Sequence, residues 1–313
     1  MMFTRALAQF SRGFAMGASD VVPGVSGGTV ALILGIYNGL ISSIGTGSKA
    51  LGCLLKGDIE GFVTRFKAVD WAFLIPLFAG IGLAVVILSG LIESALQNHA
   101  EAMAGLFFGL VVGSIFVARQ LLQNPTAQHA GIVAAIGAAT FILLGYQSGP
   151  IVDPSPVLLI VAGALAICAM ILPGISGSFI LLMIGMYATV LNAVDERIIS
   201  EIALVGLGAI IGLALFSSLL QHLLNTYHDL VMAVLLGLMF GSLRVLWPWP
   251  NGVGIIGHDD VETIPGTGLE LANGAPWVLP VILAVVSAVA VVLLSKFAQP
   301  QEQAVPEHAH SAS

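Results

Sequence analysis

Two copies of one short motif interrupt this chain where interruption is hardest to tolerate. Pro23-Gly24-Val25-Ser26-Gly27-Gly28-Thr29 runs into the apolar stretch Val30 to Tyr37. Pro173-Gly174-Ile175-Ser176-Gly177-Ser178-Phe179 runs into the apolar stretch Ile180 to Tyr187. Proline lacks the amide hydrogen that a helix ladder uses, and Pro-Gly and Ser-Gly pairs favour turns, so both heptads break helices. Inside a bilayer, a break bares main-chain polar groups where no water can satisfy them. Such breaks persist only where they are buried in protein or line a cavity.

The surroundings are membrane-like. The chain is 58% hydrophobic and 9% charged, with a mean hydropathy of +1.02. A soluble domain carries about 25% charged residues. Six runs approach the ~20 residues that cross the hydrocarbon as helix. They are roughly Trp71–Ile92, Glu101–Leu121, Ala130–Tyr146, Glu201–Leu223, Asp229–Trp247 and Trp277–Phe297. Two further stretches, Thr4–Ile44 and Pro156–Val194, each hold one heptad. Each reads as a re-entrant hairpin of two half-helices meeting near the midplane, with helix from Thr29 to Ile44 after the first turn. Two tilted full crossings are the alternative. The expected fold is an all-α polytopic membrane protein.

The duplication extends beyond the heptads. Gly109-Leu110-Val111-Val112-Gly113-Ser114-Ile115 resembles Gly237-Leu238-Met239-Phe240-Gly241-Ser242-Leu243, and the order of segments is the same in both halves. Residues 1–147 form a first repeat, with its hairpin at 4–44, a polar cytoplasmic insert at 46–70 and three spans. Residues 148–298 form a second, with its hairpin at 156–194 and three spans; 299–313 is a polar tail expected to be disordered. An odd number of crossings per half makes the second repeat inverted. With both termini cytoplasmic, Arg5, Arg12, Lys49, Lys56, Arg65, Lys67, Arg119 and Lys296 fall inside, while Arg197 is the basic residue of the outer loops. That distribution obeys the positive-inside rule, and Trp71, Trp247, Trp249 and Trp277 sit where interfacial anchors belong. The stripes Gly105/Gly109/Gly113, Gly208/Gly212 and Gly237/Gly241 have the spacing of close helix packing.

The net charge of −7 lies mostly in loops and tail, and no basic block suggests nucleic acid. Cys53 and Cys168 match no metal or disulfide spacing, and the scattered histidines form no ligand set. The N-terminus, an amphipathic stretch with Arg5 and Arg12, has no cleavage site of a signal peptide. No cofactor motif is present.

Half-helices that start at the midplane would present unpaired amides and the positive end of a dipole. Ser26, Gly27, Gly28 and Thr29, with Ser176, Gly177 and Ser178, offer hydroxyls and closely approachable backbone, the chemistry of an anion site. Pro23, Gly24, Pro173 and Gly174 are the hinges. The bland alternative is that these glycines serve tight turns and these serines cap helices. Asp20, just before the first heptad, is a candidate site for a coupling proton or cation, or a cap on the hinge, or a residue at a wet interface. Its counterpart, Met170, is apolar. Arg244 is either a bidentate grip on a phosphate or a snorkelling interfacial cation.

These motifs resemble the polyprenyl-phosphate transporter family. The likeness rests on Ser19 to Thr29, on Leu172 to Ser178, and on Gly241-Ser242-Leu243-Arg244 with Leu246-Trp247-Pro248-Trp249. The resemblance implies a transporter in the bacterial cytoplasmic membrane that returns undecaprenyl phosphate from the outer to the inner leaflet, recycling the carrier lipid for peptidoglycan and other envelope polymers. Two rivals share the architecture: a small-anion or ion-coupled transporter, and an undecaprenyl-pyrophosphate phosphatase-like enzyme. The latter's turn carries an arginine where this chain has Gly27 and Gly177, and glutamates and a histidine that are missing beside either heptad. No catalytic set is visible, so the expectation is a lipid transporter with proton or cation coupling. The sequence leaves the oligomeric state open.

Overall fold

The computed structural model describes residues 2–21, 26–145, 151, 153–249 and 277–298. The hinge residues Pro23 and Gly24, most of the long loop before Trp277, and the polar tail lie outside them. Among the described residues the secondary structure is helical. The first half holds α1 (Met2–Asp20), α2 (Gly27–Ile33), α3 (Tyr37–Leu55), α4 (Ile59–Ala68), α5 (Trp71–Asn98), α6 (Ala100–Arg119) and α7 (Ala127–Leu143). The second holds α8 (Pro156–Ile171), α9 (Gly177–Met183), α10 (Tyr187–Asp195), α11 (Ile199–Thr226), α12 (His228–Ser242) and α13 (Val278–Ala298). Four of these, α5, α6, α11 and α13, are long and apolar enough to cross a membrane, and α7, α8 and α12 are shorter apolar helices. The chain is a multi-pass membrane protein.

Several helices begin where a side chain supplies a partner for first-turn amides. Asp58 accepts from the Gly61 amide at 2.8 Å, Asp70 from Phe73 at 3.1 Å and Ser155 from Leu158 at 3.3 Å. Thr126 and His129 form a capping box at the start of α7.

Two expectations change. The helix after each heptad stops after seven residues instead of running on to Ile44 or through the second hairpin. Gly35 and Gly185 adopt φ of 66° and 72°, a region side chains disfavour. Ile36 and Gly35 donate back to Ala31 and Leu32, and Met186 and Gly185 to Leu181 and Leu182, the paired bonds of a Schellman ending. The next helix then leaves in a new direction, at 116° between α9 and α10. In addition, the insert at 46–70 is largely helical, because α3 continues through Thr46 to Leu55 and α4 follows.

The bundle is built from close pairs: α1 on α5, α8 on α11, α6 on α13 and α7 on α12. Glycines form the seams. Gly13 faces the Leu77 backbone and Gly80 that of Phe10; Gly163 faces Val205 and Gly208 faces Ile160 in the same way. Gly105, Gly109 and Gly113 abut Pro280, Ala284 and Ala288, while Gly237 and Gly241 abut residues 133–140 of α7. A Cβ at most of these glycines would overlap the neighbour's backbone, so the stripes let helices touch main chain to main chain. Partners in each pair run parallel. Asp229, in the first turn of α12, accepts from the amides of Gln123 and Asn124 just after α6, at 2.9 and 2.8 Å. The end of α6 therefore lies beside the start of α12, and those two helices run antiparallel. Leu77, Val111, Met232, Leu235 and Met239 fill the centre.

Candidate functional site

The site forms where α8 stops. The last carbonyls of a helix have no partner within it. Here two hydroxyls from the first half satisfy them: Ser26 Oγ donates to the Met170 carbonyl at 2.9 Å, and Tyr37 Oη to that of Ile171 at 3.2 Å. In return, the Gly174 amide donates to Thr29 Oγ1 at 2.8 Å. The two heptads are thus in direct contact. Ser26, Thr29 and Tyr37 are almost wholly buried. Gly174 holds φ of 88°, and a Cβ there would stand 2.8 Å from Met239 Cα, so α12 backs the second turn closely.

The start of α2 is occupied by the chain's own acceptors. Asp20 takes the Gly27 amide at 2.6 Å, and Ser26 Oγ takes that of Gly28 at 3.1 Å. The amides expected to face a ligand in the first heptad therefore face a carboxylate and a hydroxyl of this protein. A Cβ on Gly27 would lie 2.5 Å from Asp20 Oδ2, and one on Gly28 would lie 2.7 Å from the Ile171 carbonyl oxygen. The second heptad differs. Ser176 makes no side-chain cap on α9, and its hydroxyl pairs with that of Ser178 at 2.8 Å.

A cavity of about 110 Å³ lies between the two turns, lined by Asp20, Ser26, Met170, Ile175, Ser176, Gly177 and Ser178. It is roomy enough for several waters, at ~10–15 Å³ each. Its polar lining is one carboxylate and three hydroxyls, with no basic side chain among the residues described. The structure brings together Asp20, Ser26, Gly27, Gly28, Thr29, Gly174, Ser176, Gly177 and Ser178, with Pro173 in the same turn. Arg244 lies elsewhere: it donates to the Phe141 carbonyl at 2.9 Å, stacks 5.0 Å from the Phe141 ring and packs against Gly145. Trp247 joins Phe108 and Trp249 edge-on, at 5.9 and 5.6 Å between ring centres.

Tyr37 was the residue missed. It closes the first apolar run at the position Tyr187 holds in the second, and that repeat was the available signal. Its hydroxyl reaches Ile171 only because the chain turns at Gly35. Among the described residues no group of histidine, cysteine and acidic side chains has the makings of a metal site.

A family model described as undecaprenyl phosphate translocase-like matches residues 16–261. A polyprenyl-phosphate transporter of Vibrio cholerae is 38% identical over 305 residues, covering 94% of this chain and 97% of that protein. A polyprenyl-phosphate transporter of Staphylococcus aureus is 34% identical over 254 residues, covering 76% of this chain and 84% of that protein. No solved structure matches the chain.

Proposed function

The chain belongs to the undecaprenyl phosphate translocase-like family, and on that premise we propose that it flips undecaprenyl phosphate from the outer to the inner leaflet of the bacterial cytoplasmic membrane, returning the carrier lipid to envelope synthesis. The observation that carries this reading is the meeting of both heptads at one hydroxyl-lined cavity. In this reading the halves are inverted repeats, each heptad is the turn of a re-entrant hairpin, and both termini face the cytoplasm. The equivalent helix pairs and the antiparallel course of α6 and α12 support it.

The phosphate enters the cavity from the Ser176–Ser178 side, where hydroxyls stand without a carboxylate bonded to the turn. Asp20 is the obstacle. Two unit negative charges about 4 Å apart repel by ~4 kcal/mol in a protein-like dielectric. Head-group entry is favoured once Asp20 has taken up a proton or a cation, which couples the two. Repulsion returns when Asp20 ionises and drives release. Arg244, beside α7, is the first cation the lipid meets from the outer leaflet, and the hinges at Pro23-Gly24 and Pro173-Gly174 allow the turns to alternate their access.

The test is reconstitution. Full-length protein in proteoliposomes, given labelled undecaprenyl phosphate on one leaflet, is expected to equilibrate it across the bilayer. The same vesicles given undecaprenyl pyrophosphate are expected to release no phosphate. Phosphate release without lipid movement would replace this reading with the phosphatase-like one.

A further inference from the structure

An apolar groove of about 840 Å³ runs between α6, α7 and α12, well separated in its lining from the turn cavity. Phe116 and Phe240 stand exposed along it, and Ala134 and Ala138 of α7 are the small residues that keep it open. From His129 to Phe141 it follows ~18 Å of helix at 1.5 Å per residue. One leaflet of hydrocarbon is about 15 Å thick. The groove is therefore long enough to take the first few isoprenes of an extended chain, and most of its lining is carbon.

Its polar end is specific. Arg119, in the last turn of α6, lines it and is exposed, and its guanidinium makes no hydrogen bond or ion pair among the described residues. His129 lines the same end and is half-buried. The Thr126 amide donates to His129 Nδ1 at 3.3 Å, so the neutral ring carries its proton on Nε2. A guanidinium fork and an imidazole N–H thus stand together at the head of a greasy trough.

We propose that this groove holds the phosphate-proximal isoprenes of the transported lipid, with the terminal phosphate on Arg119 and His129. The inference rests on the transport reading above and adds a second station to it, at the end where the positive-inside rule puts the cytoplasm. A phosphate monoester suits that end better than an ordinary phospholipid does. It offers several free oxygens to a bidentate arginine, where a diester has two and carries less charge.

Photocrosslinking of the reconstituted full chain tests it. The probes are a polyprenyl phosphate with a diazirine on one of the first few isoprenes after the phosphate and a phosphatidylglycerol with a diazirine in one acyl chain. The polyprenyl probe is expected to label α7 between Ala134 and Phe141, and Phe240. Excess unlabelled undecaprenyl phosphate should suppress that labelling, and phosphatidylglycerol should not. Arg119→Gln should weaken capture roughly tenfold, the loss of one charge-assisted pair, and Arg119→Lys should recover part of it. Ala138→Phe should remove the α7 label by filling the trough. Competable labelling elsewhere on the protein, with transport intact, would overturn the groove and leave the transport reading standing. Equal competition by phosphatidylglycerol would make this an ordinary lipid furrow and overturn it as well. No competable labelling anywhere, together with no lipid movement, would sink both.

Discussion

Ser26 and Met170 are 144 residues apart in the chain and joined by a hydrogen bond of 2.9 Å. One hydroxyl serves two roles there, giving its proton to the end of α8 and accepting from the Gly28 amide at the start of α2. The end of one helix and the start of another are thus held by a single side chain.

Ser26→Ala removes both bonds and leaves the Met170 carbonyl and the Gly28 amide without this partner. The expected destabilisation is about 1–2 kcal/mol. Ser178→Ala, whose hydroxyl bonds to Ser176 alone among the described residues, should stay within about 0.5 kcal/mol. Thermal unfolding in detergent compares the two; equal melting temperatures would contradict the double role of Ser26.

Gly27→Ala places a methyl group against the Asp20 carboxylate. The single substitution is expected to destabilise by about 1–3 kcal/mol through overpacking. In an Asp20→Ala background the same change should be much milder, giving a coupling energy of about 0.5–3 kcal/mol in a double-mutant cycle. Additive effects would mean that the strain falls on some other neighbour.

Asp20→Asn keeps an acceptor for the Gly27 amide and removes the charge. The protein should remain folded while the pH dependence of lipid transport flattens. A profile superimposable on that of the unmodified protein would end the coupling role.

Gly145→Ala drives a methyl group into the space of the Arg244 guanidinium. It should displace the side chain from Phe141 and lower the transport rate in the same direction as Arg244→Lys. Arg244→Ala should be the more severe, since it loses the charge as well as the fork. Initial rates in proteoliposomes read this directly, and normal rates in all three variants would remove Arg244 from the lipid's path.

The spans were legible because long apolar runs bounded by polar turns leave few alternatives in a bilayer. The helix breaks at Gly35 and Gly185 were not, because a glycine within an apolar run reads equally as a packing residue until its φ is known. The helix through Thr46 was obscured by the mixed charge of its neighbours, although Asp58 and Asp70 stand where caps would. At the site, the sequence named the residues of both turns but not their bonds. That Ser26 and Tyr37 would cap α8 depends on a tertiary meeting that no local pattern encodes, whereas the bond of Asp20 to Gly27, seven residues on, is the hinge cap that the sequence offered among its alternatives. Arg244 shows the same limit: nothing in its sequence neighbourhood announces that its guanidinium donates to the Phe141 carbonyl on α7.

Ser287 of α13 donates to the Leu106 carbonyl of α6, 181 residues earlier. The glycine face of α6 is therefore synthesised long before the helix that covers it. Until α13 is inserted, that narrow strip of bare backbone meets lipid, and α7 waits likewise for α12. Biogenesis of this protein cannot proceed as one finished half followed by another. The first helices must be kept in loose association, by the insertion machinery or by the bilayer itself, until α13 enters and covers α6.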